Sequence, residues 1–403
     1  MRAYERFLKY AAYPTMSDET TGTTPSTAKQ LVLARELCSE LKALGLNAEV
    51  DKWGYVYAHL PSNTDGDYQK IGFIAHMDTS SEASDENIKT RIVKYTGGDI
   101  LLNEERGIVM RRDTYPYLDN YVGENLIVSD GTTLIGADDK AGIAEIMTML
   151  ERLISGNLPH GDISIAFTPD EEIGEGADHF DVARFAADYA YTVDGGPVGE
   201  LEYENFNAAS CKVTVHGVSI HPGSAKGMMK NAARIASEFD SLLPKDEIPE
   251  RTSGYEGFHH LLSISGECEN ARLVYIIRDH SREKFEEKKQ VFIECAARIN
   301  EIYGEGTLEM ELTDSYYNMR EKIEEHIYIV DRARSAMLEL GIEPIIVPIR
   351  GGTDGSRLSF MGLPCPNLCT GGNNFHSRFE FISCEAMDKV TDILVKIATN
   401  IVK

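Results

Sequence analysis

Positive charge is scarce in this sequence of 403 residues, which has 40 lysines and arginines against 65 aspartates and glutamates. The formal net charge is −25 at pH 7. Because nucleic-acid backbones are bound through basic surfaces, this balance argues against a nucleic-acid partner. Most of the carboxylates must be solvated surface residues, but a surplus of acids also suits a protein that binds cations.

Long apolar runs are absent as well. No stretch approaches the ~20 residues that a membrane-spanning helix needs, so we expect no membrane partner. The N-terminal segment contains charged residues such as Lys9 and Asp18 and lacks the apolar core and cleavage site of a secretory signal. We therefore predict a cytoplasmic protein.

Cysteine pairs typical of a disulfide framework or a zinc finger are also missing. The seven cysteines are scattered and odd in number, which favours reduced thiols. Cys365 and Cys369 are close in sequence, but prolines flank Cys365 and no second Cys/His pair has zinc-finger spacing. This pair is therefore not predicted to bind a metal.

The chain exceeds the roughly 250–300 residues at which a single core stops growing, so two domains are expected. In its first half, apolar runs alternate with helical patterns, and the sequence Thr27–Gln30 is typical of a capping box. Strands are predicted at residues 55–60, 71–75, 163–167 and 189–193, and a buried helix at residues 141–154. Strands that alternate with helices indicate an α/β domain with a mostly parallel sheet.

A different pattern occupies residues 208–316. It predicts the order strand, helix, strand, strand, helix, strand, which is that of a ferredoxin-like α+β module. The α/β pattern resumes after residue 317 and ends with a helix at residues 385–401. We therefore predict a discontinuous domain of residues 1–207 and 317–403 with the ferredoxin-like module inserted into it.

Histidines and acids follow the predicted strands or lie in nearby loops. Because open α/β sheets place their sites at the carboxyl ends of strands, we expect these side chains to lie together. The candidates are His76, Asp78, Asp138, Asp139, Asp170, Glu171, Glu172, Asp194 and His376.

Some of these candidates also have a structural explanation. Asp138 or Asp139 could cap the helix that follows, and Asp170 could cap a turn. In an extended chain, residues two apart point to the same side, so Asp78 could orient the His76 ring behind a metal.

Histidine and carboxylate ligands together favour Zn²⁺, with Co²⁺ or Mn²⁺ as alternatives. One carboxylate could bridge two ions roughly 3.5–4 Å apart. The two ions would lower the pKa of a water bound between them, so that it is a hydroxide at neutral pH. The candidate set therefore predicts a hydrolytic centre with two divalent ions.

Four motifs make the sequence similar to a known family: AHMDT at 75–79, GADDKAG at 136–142, TPDEEIG at 168–174 and RGGTDG at 350–355. With them, the whole chain resembles the metallopeptidase family that includes aminoacylase, glutamate carboxypeptidase and succinyl-diaminopimelate desuccinylase. It is most similar to the tripeptide aminopeptidase branch. The resemblance implies a zinc-peptidase-like catalytic domain with an inserted lid or dimerisation domain.

The resemblance also implies how the metals are held. Asp138 would bridge two ions, with His76 and Asp194 completing one site and Glu172 and His376 completing the other. Family members often have a cis peptide bond after the bridging acid, which here would join Asp138 to Asp139.

Catalytic and substrate-binding roles follow from the same resemblance. Asp78 would support His76, and Glu171 would be the general base for a metal-bridging hydroxide. His221, in HGVSIHPG, would stabilise the developing oxyanion, although it could be a hydrogen-bonded turn histidine. Arg278 would bind the substrate carboxylate or else form an exposed salt bridge. Arg350 and Asn374 are further substrate-binding candidates, and Arg350 could serve only to orient its loop.

We therefore predict a two-metal aminopeptidase that releases the N-terminal residue from tripeptides, as a monomer or a homodimer. One alternative is another amide hydrolase of the same family, either a dipeptidase or an N-acyl amino acid deacylase. The other is a metal-dependent binding protein without turnover, which would have no need of Glu171.

Overall fold

The structure is a computed structural model and describes residues 1–400 of the chain. It divides into two compact units. The first comprises Met1–Tyr203, Glu321–Val347 and the residues from Thr353 onward, and the second comprises Glu204–Arg320 and Pro348–Gly352. No helix within residues 1–400 is long and apolar enough to cross a membrane.

The N-terminal part of the first unit contains four helices and ten strands. The helices are α1 (Ala3–Ala11), α2 (Gln30–Ala43), α3 (Ala137–Ser155) and α4 (Val182–Phe185). The strands are β1 (Asn47–Val50), β2 (Val56–Leu60), β3 (Ile71–His76), β4 (Arg91–Lys94), β5 (Ile100–Asn103), β6 (Ile108–Met110), β7 (Asn125–Val128), β8 (Ile163–Thr168), β9 (Tyr189–Gly195) and β10 (Glu200–Glu202).

Six elements make up the second unit, and the chain then returns to the first. The second unit has β11 (Asn207–His216), α5 (Ala232–Leu242), β12 (Phe258–Gly266), β13 (Asn270–Asp279), α6 (Arg282–Tyr303) and β14 (Leu308–Tyr316). The C-terminal elements are α7 (Arg320–Ile323), α8 (Tyr328–Glu339), β15 (Ile345–Ile346), α9 (Asp354–Phe360), β16 (Asn367–Cys369), β17 (Gly372–Asn373), β18 (Phe381–Ser383) and α10 (Cys384–Asn400).

The main sheet of the first unit has eight strands in the order β1-β2-β8-β3-β9-β16-β10-β15. Its central pairs β8–β3, β3–β9 and β9–β16 are parallel, whereas β1–β2, β2–β8 and β10–β16 are antiparallel. Strands β3 and β8 are buried at every position, as their apolar sequences require. Helix α3 packs against β3 and β9 and is covered by α1 and α10.

A small extension at residues 91–128 is not predicted by the sequence. There β4 and β7 form a four-stranded sheet with two C-terminal strands, in the order β17-β18-β7-β4, and β5 and β6 form a separate hairpin. A 3-10 helix, Pro116–Tyr121, lies between β6 and β7. The extension has its own apolar core, formed by Tyr95, Ile100, Leu102, Met110, Leu118, Leu126, Val128 and Phe381.

The second unit is a four-stranded antiparallel sheet in the order β12-β13-β11-β14. Helices α5 and α6 contribute residues to the same core as this sheet, including Phe239 and Phe292. The order of elements is that of the predicted ferredoxin-like module. Both parts of the fold prediction, the α/β sheet and the inserted module, are therefore confirmed.

The capping-box prediction at Thr27 is wrong. Helix α2 begins at Gln30, and the Thr27 hydroxyl donates to the Met16 carbonyl oxygen at 2.8 Å. The Gln30 amide donates to Asp170 Oδ1 at 2.6 Å. The Gln30 amide also donates to the Thr27 hydroxyl at 3.4 Å, but neither side chain accepts the backbone N–H that a capping box requires.

Candidate metal centre

The five predicted metal ligands lie at one edge of the main sheet and in two adjoining segments. His76 is the last residue of β3, Glu172 follows β8 in a short 3-10 helix, and Asp194 lies near the end of β9. Because these three strands are parallel neighbours, their carboxyl ends meet. Asp138 is in the first turn of α3, and His376 lies in the loop between β17 and β18.

Asp138 lies between two groups of side chains. Its Oδ1 is 2.8 Å from His76 Nε2, which is also 3.4 Å from Asp194 Oδ1. Its Oδ2 is 3.2 Å from His376 Nε2, which is 2.8 Å from Glu172 Oε2. Within each group of three residues, the nitrogen and oxygen atoms that could bind a metal all lie within 4.8 Å of one another. Asp138 therefore offers one oxygen to each of two adjacent groups.

The two adjacent acids, Asp138 and Asp139, point to different partners. The peptide bond between them is cis, as the family resemblance implies. Asp139 Oδ2 accepts the His76 backbone N–H at 3.1 Å, and its Oδ1 accepts the Gly142 N–H at 3.2 Å. Asp139 thus joins α3 to β3 and caps the helix, while the Asp138 carboxylate faces the histidines.

Asp78 is fully buried and contacts the segment that follows β8. Its Oδ1 accepts the Glu171 N–H at 3.0 Å, and its Oδ2 accepts the Glu172 N–H at 3.1 Å. His76 Nδ1 is 3.4 Å from Asp78 Oδ1 and 3.1 Å from the Asp78 carbonyl oxygen. The Asp78 side chain therefore lies behind the candidate ligand His76 and also fixes the turn that carries Glu171 and Glu172.

The loop that carries His376 has two residues in left-handed conformations, Asn374 with φ 57° and His376 with φ 59°. The Asn374 amide donates to the Phe379 carbonyl oxygen at 2.9 Å, and its Oδ1 accepts the Tyr117 hydroxyl. His376 Nδ1 is 3.4 Å from Glu82 Oε2. A carboxylate thus lies behind each of the two candidate histidine ligands.

The structure adds three acids that sequence reasoning does not single out. They are Glu82 behind His376, Asp354, which accepts the Thr168 hydroxyl at 2.9 Å, and Glu380, which accepts backbone N–H groups at 135–138. Asp354 lies in the RGGTDG motif, which could have drawn attention to it. No local pattern marks the other two.

Burial and nearby charge shift the pKa values of the site. Burial raises the pKa of Asp194 and of Glu172 to about 7, and the charge of Asp138 adds to both shifts. Burial, followed by the charge of Asp194, also raises the pKa of Glu171 well above its ordinary value. Although burial opposes it, hydrogen bonds from both histidines hold the pKa of Asp138 below its ordinary value. A site with this many clustered acids requires positive charge.

The donor set fits divalent ions. Each group supplies one imidazole and carboxylate oxygens, which suit Zn²⁺, Co²⁺ or Mn²⁺. Glu172 Oε1 is buried, and among residues 1–400 it has no hydrogen-bond partner. Because an unpaired buried carboxylate oxygen is costly, this atom is better explained by a cation than by packing alone.

His221 belongs to the second unit and is exposed there. Its Nδ1 accepts the Gly223 N–H at 3.2 Å, which is the contact of a turn histidine. Because Nδ1 is the acceptor, the neutral ring carries its proton on Nε2. The turn therefore fixes the tautomer and leaves Nε2 as a donor.

The two arginines predicted to bind substrate, both in the second unit, have different surroundings. Arg278 lies over the Tyr316 ring at 5.2 Å and donates to the Ile277 carbonyl oxygen. Within residues 1–400 no carboxylate lies at ion-pair distance from it, so the expected alternative of a salt bridge is not observed. Arg350 donates to the carbonyl oxygens of Gly254 and Glu256, at 2.5 and 3.1 Å. These contacts fix a turn.

Comparison with known proteins places the chain among peptidases. Residues 203–307 match a family model described as a peptidase dimerisation domain of the M20 type. Peptidase T of Caldanaerobacter subterraneus is 56% identical over 399 residues, covering 98% of each chain. Peptidase T of Clostridium novyi is 54% identical over 395 residues, covering 97% of each chain.

Solved structures share the fold at lower identity. Aminopeptidase PepT from Bacillus cereus has a TM-score of 0.80 at 24% identity, covering 100% of this chain and 98% of that one. A Staphylococcus aureus tripeptidase has a TM-score of 0.79 at 20% identity, covering 99% and 98%. A Bacillus subtilis protein described as a dinuclear metal-binding peptidase of the M20 family has a TM-score of 0.66 at 14% identity, covering 99% and 96%. The resemblance drawn from the motifs is therefore confirmed, and the chain belongs to the peptidase T family of M20 metallo-aminopeptidases.

Proposed function

We propose that this chain is a two-metal aminopeptidase that releases the N-terminal residue from tripeptides. The observation that carries the proposal is the position of Asp138, whose two oxygens face two separate histidine and carboxylate groups. Relatives more than half identical over nearly the whole chain are named peptidase T, and a structure of the same fold is named a tripeptidase. These names support the substrate class.

Two divalent ions, zinc with cobalt or manganese as alternatives, would be held around Asp138. His76 and Asp194 would complete one site, and Glu172 and His376 would complete the other. When bound, such ions supply Lewis acidity and lower the pKa of a coordinated water. Asp78 and Glu82 are placed to orient the two imidazoles, since each has a carboxylate oxygen 3.4 Å from an Nδ1 atom.

Glu171 is our candidate for the general base. It directly precedes the ligand Glu172 but is not a member of either ligand group. Its backbone is fixed by the hydrogen bond to Asp78, so its carboxylate is delivered to the same strand end as the ligands. From there it would accept a proton from the attacking water and return it to the leaving amine.

Substrate-binding roles are proposed for individual residues. Arg278 would bind the carboxylate of the tripeptide, because it has a guanidinium without an acidic partner among residues 1–400 and Arg pairs bidentately with carboxylates. His221 would donate from Nε2 to the developing oxyanion. Asn374 is a further candidate. The two carbonyl contacts of Arg350 favour the role of orienting the turn at 252–256.

We further propose a cytoplasmic homodimer that forms through the second unit, with the first unit carrying the metal ligands and Glu171. The match to a peptidase dimerisation domain supports this assignment. Strand β12 is an edge strand, and it exposes two apolar side chains, Leu262 at 53% and Ile264 at 48%. Exposed apolar edge strands are templates for pairing with another chain, so β12 is the segment that we expect to pair.

A peptide-length panel tests the proposed activity. The protein is stripped with a chelator, reloaded with Zn²⁺, Co²⁺ or Mn²⁺, and assayed with di-, tri- and tetrapeptides beside N-acyl amino acids. We expect release of the N-terminal residue, with the highest kcat/KM for tripeptides. Preference for dipeptides or N-acyl amino acids would replace the tripeptide assignment with the alternative hydrolases. Failure of the metal-loaded protein to cleave any amide would favour the binding protein.

A further inference from the structure

Glu380 is a carboxylate that is 1% exposed and lies outside both ligand groups. Its Oε2 accepts the backbone N–H groups of Ile135 and Gly136, each at 2.8 Å. Its Oε1 accepts the N–H of Asp138 at 3.1 Å. We infer that Glu380 is a positioning residue that holds Asp138, the ligand proposed to be shared by both metals.

The segment at the start of α3, residues 135–138, cannot satisfy these N–H groups by itself. Gly136 has a left-handed backbone with φ 70°, and Asp138 departs from helical geometry with φ −85° and ψ 103°. The N–H groups at the start of a helix have no partner within the helix. A buried acceptor must therefore come from elsewhere in the chain, and the Glu380 carboxylate supplies it.

Glu380 also belongs to the compact loop that carries His376. Its N–H donates to the Ser377 carbonyl oxygen at 3.0 Å, and the Asn374 amide closes the loop on Phe379 at 2.9 Å. A displacement of Glu380 would therefore move Asp138 and His376 together. Because Asp138 contributes to both groups, both metals would be affected.

The inference rests on the proposed ligand set and predicts a defect in metal binding. In Glu380→Gln one carboxylate oxygen becomes an NH2 group, which cannot accept an N–H from the 135–138 segment. Partners that orient metal ligands are typically worth 10–100-fold in metal affinity. We expect Glu380→Gln to weaken zinc binding by about that factor.

Glu385→Gln is a matched control within the same unit. Glu385 also accepts a backbone N–H, that of Asn125 at 2.8 Å, and the Asn125 amide at 2.6 Å. It is a member of neither ligand group. Loss of its contacts should reduce stability without changing zinc affinity.

Two readouts decide the role: zinc affinity by competition with a chromogenic chelator, and the thermal midpoint with chelator and with excess zinc. Glu380→Gln should bind zinc 10–100-fold more weakly, and its gain in midpoint on adding zinc should be smaller than that of the wild type. Glu385→Gln should keep the zinc affinity of the wild type, and its thermal midpoint should rise on adding zinc by as much as that of the wild type. If Glu380→Gln has wild-type affinity and equally lowered midpoints with and without zinc, Glu380 is only an anchor and the inference is wrong.

A second variant covers the case in which Glu380→Gln does not fold. Glu380→Asp keeps the charge but shortens the side chain, so it should lose part of the N–H contacts and bind zinc more weakly than the wild type. Wild-type affinity in this variant would overturn the inference. Wild-type protein that binds no zinc would overturn the metal sites themselves, which is a separate result from a Glu380 variant that binds normally.

Discussion

Gly142→Ala is expected to disrupt the metal centre through a single added methyl group. Gly142 lies on α3 where this helix packs against β9, and a Cβ there would be 1.9 Å from the Val193 carbonyl oxygen. It would also be 2.5 Å from Asp139 Oδ1. The first distance is about 1.5 Å short of the 3.4 Å at which ordinary contact begins, so helix and strand must separate. Val193 directly precedes Asp194, and Asp139 follows Asp138, so the separation falls between two candidate ligands.

The magnitude follows from that displacement. Overpacking costs typically 1–3 kcal/mol of stability, and a misplacement of about 1 Å in a catalytic site can cost 10²-fold in rate. We expect Gly142→Ala to bind less metal and to lose about 100-fold in kcat/KM on a tripeptide. The metal content is measured by plasma mass spectrometry and kcat/KM by a peptide hydrolysis assay. Ser155→Ala, an exposed change at the end of the same helix, is the control. A Gly142→Ala protein with wild-type metal content and turnover would refute the argument from close packing.

Three further predictions follow from other parts of the molecule. Glu171→Gln should retain its metals but lose about 10²–10⁴-fold in kcat, and wild-type turnover would remove Glu171 as the base. Burial raises the pKa of Glu145, and neither of its oxygens has a hydrogen-bond partner among residues 1–400. The stability contributed by the protonated form is therefore fully present below the unfolded pKa and is lost as pH rises through the folded pKa. Between pH 5 and pH 8 the thermal midpoint of the wild type should accordingly fall relative to that of Glu145→Gln. Midpoints of the two proteins that change in parallel with pH would contradict the raised pKa of Glu145. His221→Ala should lower kcat with metal content intact, and an unchanged kcat would exclude His221 from the reaction.

The central strands could be predicted because their sequences are dictated by burial on both faces. Strands β3, β8 and β9 are mostly apolar, and parallel packing brings their carboxyl ends together. The candidates at these ends, His76, Glu172 and Asp194, consequently lie side by side. The hydrophobic pattern alone places them at one edge, whereas their division into two groups around Asp138 came from the family resemblance.

The extension at residues 91–128 could not be predicted, because its strands are short and their partners are distant in sequence. Strand β4 has four residues, three of which are exposed, so no apolar pattern marks it. Strand β7 pairs with β18, at Phe381–Ser383, which lies more than 250 residues along the chain. Only tertiary contacts define this small sheet.

Glu380 escaped sequence reasoning for a related reason. It acts by accepting N–H groups, and that role depends on where the backbone runs rather than on neighbouring residue types. The same limit explains Gln30, whose amide is held by Asp170 across 140 residues instead of in a capping box. Long-range contacts of this kind become visible only in the folded chain.

The number of divalent ions bound per chain tests the central claim most directly. Wild-type protein and Asp138→Ala are stripped with chelator, reloaded with zinc and analysed by plasma mass spectrometry. We predict two ions per wild-type chain, and near zero for Asp138→Ala, because each group loses its shared oxygen. One ion or none in the wild type, or two retained by Asp138→Ala, would contradict a centre built around Asp138.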